Sequence, residues 1–157
     1  MSLRELAFDK AVKNISSFMP EIRYHFKEAV LHCERLGSNY KELEKLDMYS
    51  DIYDTVEENI KTAKAEFMEV LWGLRESIGR IEYELDPVTG GWEIMEDIFN
   101  YKKTTSDVIG DVMMELIPAC HDEDSEKLNE LAKWLRKTLE KIETLIYEFS
   151  QEKGEGK

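Results

Sequence analysis

Four carboxylates in two pairs are the residues of this chain whose types and spacing best suit chemistry. Glu66 and Glu69 are three residues apart, and Asp111 and Glu115 are four residues apart. Residues at these spacings project from one face of a helix, so each pair presents two carboxylates together. If the two faces meet across an antiparallel helix pair, the four acids repel one another unless a divalent cation binds between them. Such an oxygen-only site suits Mg²⁺ or Mn²⁺, which keeps water ligands for a phosphate substrate.

The reaction that this arrangement would support is metal-assisted hydrolysis of a phosphodiester or a phosphoanhydride. A bound ion polarises a phosphate oxygen and lowers the pKa of a bound water, which attacks in line with the leaving oxygen. One glutamate that does not bind the metal would serve as the general base for this water. An ordinary explanation stands beside this one, because acidic pairs are common on solvated helix faces, where Lys61, Lys64 or Arg75 would neutralise Glu66 and Glu69.

The second acidic pair lies in a segment without any positive charge. Between Thr104 and Glu126 there are seven acids and no lysine or arginine. The apolar residues from Val108 to Ile117 surround most of a helix circumference, which is typical of a buried helix. Because a buried carboxylate needs a compensating partner, the pattern predicts one from elsewhere in the fold or from solution.

Helices must position these acids, since strand patterns are almost absent. Apolar residues recur every third or fourth position along most of the chain, so we predict an all-α fold, an antiparallel helical bundle of four to six helices with two long ones. A restart near Pro20 and a stop at Gly37 are predicted from the residue types. The predicted helical stretches are 3–14, 22–36, a short piece at 40–46, 51–85, 92–101, 106–119 and 125–151.

Two of these helices have apolar surface that calls for a specific neighbour. In the long central helix, Ala65, Met68 and Trp72 lie outside the main apolar stripe, which predicts burial of residues 63–74 on two sides. In the last helix an almost heptad stripe predicts packing on other helices, those of its own chain or of a partner. That stripe consists of Leu128, Leu131, Leu135, Leu139, Ile142, Ile146 and Phe149.

Composition limits the class of protein. With 157 residues we expect one domain over residues 1–152 and a flexible tail at 153–157. No apolar stretch is long enough for a membrane span or a secretory signal, so we expect a cytoplasmic protein. The net charge of −13 argues against broad DNA binding and against anionic membranes. Cys33 and Cys120 have no metal or redox spacing and are expected to be buried, reduced thiols.

Several segments resemble the translin and translin-associated factor X family. Residues 65–70, AEFMEV, resemble that family's Glu-aromatic-x-Glu helix, and residues 111–116, DVMMEL, resemble its Asp-x-x-x-Glu-Leu helix. Residues 87–96 are similar to the short helix between them, and residues 26–35 to its first long helix. The resemblance implies oligomeric assembly and a magnesium-dependent endoribonuclease site formed by Glu66, Glu69, Asp111 and Glu115, acting on single-stranded RNA. This chain is shorter than the family and has few basic residues to hold RNA.

A second resemblance competes for the same acids. The all-α nucleotide pyrophosphohydrolases of the MazG and dimeric dUTPase type also use an ExxE helix followed by an ExxD helix, and residues 109–112, IGDV, look like their Gly-Asp-Val turn. Here Val108 stands where that pattern has glutamate, and Asp107 is one residue early. This resemblance implies a nucleoside triphosphate as substrate, which suits an acidic surface. A third alternative is a non-enzymatic helical interaction subunit, and each alternative is compatible with a homo-oligomer formed through an exposed helix face.

Overall fold

The structure is a computed structural model that describes residues 3–99, 114, 116–120 and 124–155. Its helices are α1 (Leu3–Ser17), α2 (Met19–Lys45), α3 (Tyr53–Leu85), α4 (Gly91–Phe99), α5 (residues 116–120) and α6 (Ser125–Glu155). No strand occurs within this described part of the chain. The predicted all-α bundle is therefore confirmed.

The three long helices form the frame of the bundle. α2 and α3 pack antiparallel, and α6 lies with them, so that α2 has extensive contacts with both of the others. α1 packs mainly on α3, and α4 contacts both α3 and α6. A single continuous core joins all six helices through buried side chains such as Ile15, Phe26, Phe67, Phe99 and Leu135.

The predicted restart near Pro20 is confirmed. α1 ends at Ser17, α2 begins at Met19, and Pro20 lies in the first turn of α2. Proline is tolerated there because the first N–H groups of a helix have no intrahelical partner, so its missing donor costs nothing.

The predicted stop at Gly37 is wrong, because α2 continues without a break to Lys45. Gly37 is buried, and a Cβ at this position would lie 3.3 Å from the carbonyl oxygen of Ser125 and 3.5 Å from Cβ of Leu128. The glycine therefore allows the start of α6 to approach α2 closely. Packing overrides the weak helix propensity of the residues that follow, and the short predicted piece at 40–46 belongs to α2.

The end of α3 at Leu85 is confirmed, whereas its start differs from the prediction. The N-cap is Ile52, with no side-chain cap from Ser50 or Asp51. After Leu85 the chain turns through Gly90, whose φ of 82° is a left-handed conformation that favours glycine, and α4 begins.

The predicted burial of two apolar surfaces, the stripe on α6 and residues 63–74 of α3, is confirmed for the first and wrong for the second. From Leu128 to Ile142 the stripe on α6 is buried in its own chain and Ile146 is partly buried, so the stripe packs on the helices of this bundle. The expected two-sided burial of residues 63–74 is wrong, because Ala65 and Trp72 are exposed. Only one face of α3 lies in the core, through Ala63, Phe67 and Leu71 together with later residues of the same stripe.

The predicted helix 106–119 falls mostly outside the described residues, as do the acids Asp107, Asp111 and Glu115. Within α5, Leu116, Ala119 and Cys120 are buried. Among the described residues, no helix combines the length and the apolar character that crossing a bilayer requires.

Candidate functional site

Polar contacts join α2 to α3 along one edge of the helix pair, which we call the α2–α3 seam. The contacts are Glu21 with Arg80 at 3.3 Å, His25 with Ser77 at 2.6 Å and Arg35 with Glu66 at 2.9 Å. As the residue number rises along α2 it falls along α3, which is the pairing of an antiparallel hairpin. Glu66, the first acid of the predicted pair, therefore lies at a seam where side chains of two helices meet.

Glu66 forms a surface ion pair rather than part of a dry acidic cluster. The Nη1 atom of Arg35 donates a hydrogen bond to Oε2 of Glu66, and the two side chains are 54% and 42% exposed. Glu69, one turn further along α3, is exposed, and no ion pair or hydrogen bond joins it to another described residue. The expectation that this pair lies in a dry interior is therefore wrong, because the core face of α3 is the stripe through Ala63 and Phe67 and neither glutamate belongs to it.

The other predicted ligands, Asp111 and Glu115, lie outside the described residues. Among residues 3–99, 114, 116–120 and 124–155, no group of three or more histidine, cysteine, aspartate or glutamate side chains is arranged to hold a metal ion. Glu66 and Glu69 thus supply at most half of the predicted four-carboxylate set, and their open position leaves room for a hydrated ion. A Mg²⁺ ion commonly keeps several waters and takes only one or two protein carboxylates.

Arg35 was missed by the sequence analysis because its partner is 31 residues away along the chain. The signal was nevertheless present. A helical hairpin that turns near residue 51 brings together residues equally distant from the turn, which matches Arg35 to the position of Glu66 and His25 to the position of Ser77. Arginine presents a planar set of donors that suits phosphate as well as carboxylate.

His25 and Ser77 form the tightest contact of the seam. Nδ1 of His25 lies 2.6 Å from Oγ of Ser77, a side chain that is almost fully buried. A Cβ at Gly73 would lie 2.7 Å from Cδ2 of His25, so the glycine makes room for the imidazole ring against α3. Because Ser77 is closed to solvent, this pair fixes the helices and does not present a nucleophile. The expectation that His25 is an ordinary helix histidine is consistent with this position.

The two cysteines are free and buried, as predicted. Burial raises the pKa of the Cys33 thiol to about 12, with smaller contributions from Cys120 and Glu34. Burial also raises the pKa of Cys120, although Lys64 acts in the opposite direction. A nucleophilic cysteine needs a lowered pKa and access to solvent. These thiols have neither, so they serve packing rather than catalysis.

Two other features lie on the surface of the described residues, a groove and two exposed aromatic side chains. A groove of about 590 Å³ between α4 and α6 is lined by apolar residues such as Ile98 and Leu145 and by charges of both signs, among them Lys137 and Glu140. On α3, the outward positions carry Trp72 and Tyr83 in water. The acids of the groove, Asp97, Glu140 and Glu148, lie among Lys137 and Lys141 and are not arranged to hold a metal ion, so the seam remains the better candidate for chemistry.

Comparison with known proteins gives no relative: no protein-family model, curated protein or solved structure matches this chain. The two family resemblances therefore stay predictions, and the functional argument depends on the residues of the chain.

Proposed function

We propose that this protein is a magnesium- or manganese-dependent phosphodiester hydrolase that acts on single-stranded RNA. The observation that supports the proposal is the open position of Glu66 at the α2–α3 seam and of Glu69 one turn further along α3, with the guanidinium of Arg35 2.9 Å from Glu66. The two accessible carboxylates would bind a cation, and the accessible guanidinium beside them would bind a phosphate.

The carboxylates would hold the ion. Glu66 and Glu69 supply oxygen ligands from adjacent turns of one helix, and Asp111 and Glu115 are proposed as the remaining ligands. The ion would supply Lewis-acid polarisation of the phosphate and a bound water with a lowered pKa. Whichever glutamate is not a ligand would accept the proton from the attacking water.

Arg35 would hold the phosphate. Its guanidinium already makes a charge-assisted hydrogen bond to Glu66, so exchanging that carboxylate for a phosphate oxygen keeps the arginine paired while the carboxylate turns to the ion. The exposed fraction of this side chain, 54%, leaves its remaining donors accessible to solvent and substrate.

A nucleoside triphosphate is the alternative substrate. The net charge of −13 repels a polyanion more strongly than a single nucleotide, and the same carboxylates would then support pyrophosphohydrolysis. The α6 stripe gives the interaction-subunit alternative little support, because its residues from Leu128 to Ile142 are buried within the chain.

Hydrolysis assays with both substrates test the proposal. The full chain with millimolar Mg²⁺ or Mn²⁺ should shorten labelled single-stranded RNA, and both EDTA and Glu69→Gln should abolish cleavage. A matched control is the double variant Asp54→Asn with Glu57→Gln, because these acids are also three residues apart and exposed on α3. This control should keep full activity.

The outcomes separate the alternatives. Release of pyrophosphate from nucleoside triphosphates, without cleavage of RNA, would replace RNA by nucleotide as the substrate. Activity that survives Glu69→Gln would show that another site is responsible. Absence of both activities at every metal concentration would show that the proposed hydrolase function is wrong.

A further inference from the structure

Helix α3 carries a row of outward-facing residues that none of the described helices of its own chain covers. Trp72, Glu76, Gly79 and Tyr83 follow one another at spacings of four, three and four, so they lie on one face of the helix. We call this row the outer stripe. Trp72 is 66% exposed and Tyr83 is 78% exposed. Tryptophan and tyrosine are the residues most enriched where proteins bind one another, so two of them on one open helix face call for an explanation.

We propose that the outer stripe is the contact surface between two copies of this chain, packed as an antiparallel pair of α3 helices around a two-fold axis. The spacing supports this occupant, since four-three-four reads the same in both directions. A two-fold axis midway between residues 77 and 78 places Trp72 of one copy beside Tyr83 of the other. The same axis places Glu76 beside Gly79, and both pairs occur twice because a two-fold contact repeats each one.

Side-chain sizes are complementary in this register. Offset packing of Trp72 against Tyr83 buries two large aromatic surfaces, and aromatic pairs favour this arrangement. Gly79 has no side chain, so it leaves space for the opposite Glu76 at the point where the helices approach most closely. Within its own chain, Trp72 already has the Arg75 guanidinium 5.4 Å from its ring centroid, and this contact orients the indole.

Charges are also complementary. Arg80 lies on the same flank of the outer stripe as Glu76 and contacts it within its own chain at 3.3 Å. In the antiparallel register Arg80 of one copy lies one residue, or about 1.5 Å, beyond the level of Glu76 of the other, so each carboxylate has a second arginine nearby. A chain with net charge −13 repels its copy over most of its surface, and an arginine beside each buried acid is what a contact in this position requires.

Acids limit the contact at its ends. Glu69 and Asp86 are the next residues on either side that would face each other, and like charges there would keep the ends of the helices apart. The contact therefore spans about 12 residues, or roughly 17 Å of helix at a rise of about 1.5 Å per residue. Such a length corresponds to a small interface and a weak, concentration-dependent dimer. It also leaves Glu69 free of the partner copy.

Sedimentation equilibrium and light scattering of the full chain test the dimer, over concentrations from about 1 µM to about 1 mM. The wild-type chain should dimerise with rising concentration, and Trp72→Glu should remain a monomer across the range. The matched control is Tyr147→Glu on α6, because Tyr147 is 65% exposed and Trp72 is 66% exposed. This control should dimerise like the wild type.

Cross-linking tests the position of the axis. Glu76→Cys lies close to the proposed two-fold axis and its side chain is smaller than the one it replaces, so a short bis-maleimide should link two copies, whereas Tyr147→Cys should not be linked. The native cysteines are buried and should not react. A wild type that stays monomeric at about 1 mM, equal dimerisation of wild type and Trp72→Glu, or equal cross-linking at both positions would each overturn the proposal.

Discussion

Helices α3 and α6 have similar lengths, 33 and 31 residues, and both contain long apolar stripes, yet their surroundings differ. α6 buries its described stripe against its own chain. α3 buries one face through Phe67 and leaves Trp72 and Tyr83, on its other side, in water. The apolar patterns predicted burial on both sides of residues 63–74 in α3 and left open a partner for α6. Apolar periodicity therefore shows that a face can be buried, but the neighbour that covers it depends on contacts between distant segments.

The largest predicted effect separates the two faces of α3. Phe67→Ala should lower the free energy of unfolding by about 3–5 kcal/mol, because it removes a fully buried ring and leaves a cavity. Trp72→Ala should cost less than about 1 kcal/mol in the monomer, since an exposed indole loses only its contact with Arg75. Guanidinium unfolding at low protein concentration measures both. Equal losses would contradict the assignment of one buried face and one open face.

A second substitution examines the α6 stripe. Leu135→Ala should destabilise the monomer by about 2–5 kcal/mol, because Leu135 is fully enclosed in the core of its own chain. Tyr147→Ala, at an exposed position of the same helix, should change stability by no more than about 0.5 kcal/mol. If the stripe instead served a partner, Leu135→Ala would leave the monomer unaffected and alter only its association.

Cys33 provides a pH-dependent test of burial in the core. Its pKa of about 12 in the folded chain exceeds the ordinary value of 9.0 that applies after unfolding. Below pH 9 the thiol is protonated in both the folded and the unfolded chain, so its full contribution to the free energy of unfolding is present. As the pH rises from 9 towards 12, only the unfolded chain releases this proton, so the free energy of unfolding falls, on the order of 4 kcal/mol for this one group.

Urea unfolding at about pH 8, 9, 10 and 11 measures this dependence. The comparison is with Cys33→Ala, which keeps every other ionisable group of the chain and lacks the thiol. The variant should lose stability less steeply than the wild type as the pH rises. Parallel slopes would show that the thiol of Cys33 is not sealed in the folded chain.

The smallest predicted effects on stability come from alanine substitutions at two glycines of α3. Gly73→Ala should destabilise by about 1 kcal/mol, since the new methyl group displaces the His25 ring and breaks its hydrogen bond with the buried Ser77. Gly79→Ala, on the half-exposed outer stripe, should stabilise the monomer by about 0.5–1 kcal/mol through helix propensity alone. Equal changes of either sign would contradict the packing of His25 on α3.

Much of the fold was predictable from local features, and the site was less so. The break between α1 and α2 at Pro20 and the end of α3 at Leu85 were both predictable, because helix boundaries are signalled by residues next to them in the sequence. The helix stop predicted at Gly37 was wrong because the glycine serves a tertiary contact: α6 approaches α2 closely there, which favours glycine inside a continuous helix. The pairing of Arg35 with Glu66 links two helices, and it follows only once the position of the hairpin turn is known. Asp111 and Glu115 stay predictions.

Binding of a divalent ion to the α2–α3 seam is the most direct test of the functional account. Mn²⁺ titration followed by electron paramagnetic resonance, with Mg²⁺ competition, counts ions bound to the wild type, to Glu66→Gln with Glu69→Gln, and to the control Asp54→Asn with Glu57→Gln. Both double variants remove two negative charges from α3. The account predicts saturable binding by the wild type and the control, weakened at least about tenfold in the seam variant, a change of about 1.4 kcal/mol. Equal affinities of the two double variants would show that the ion is attracted by overall charge and that the seam is not a metal site.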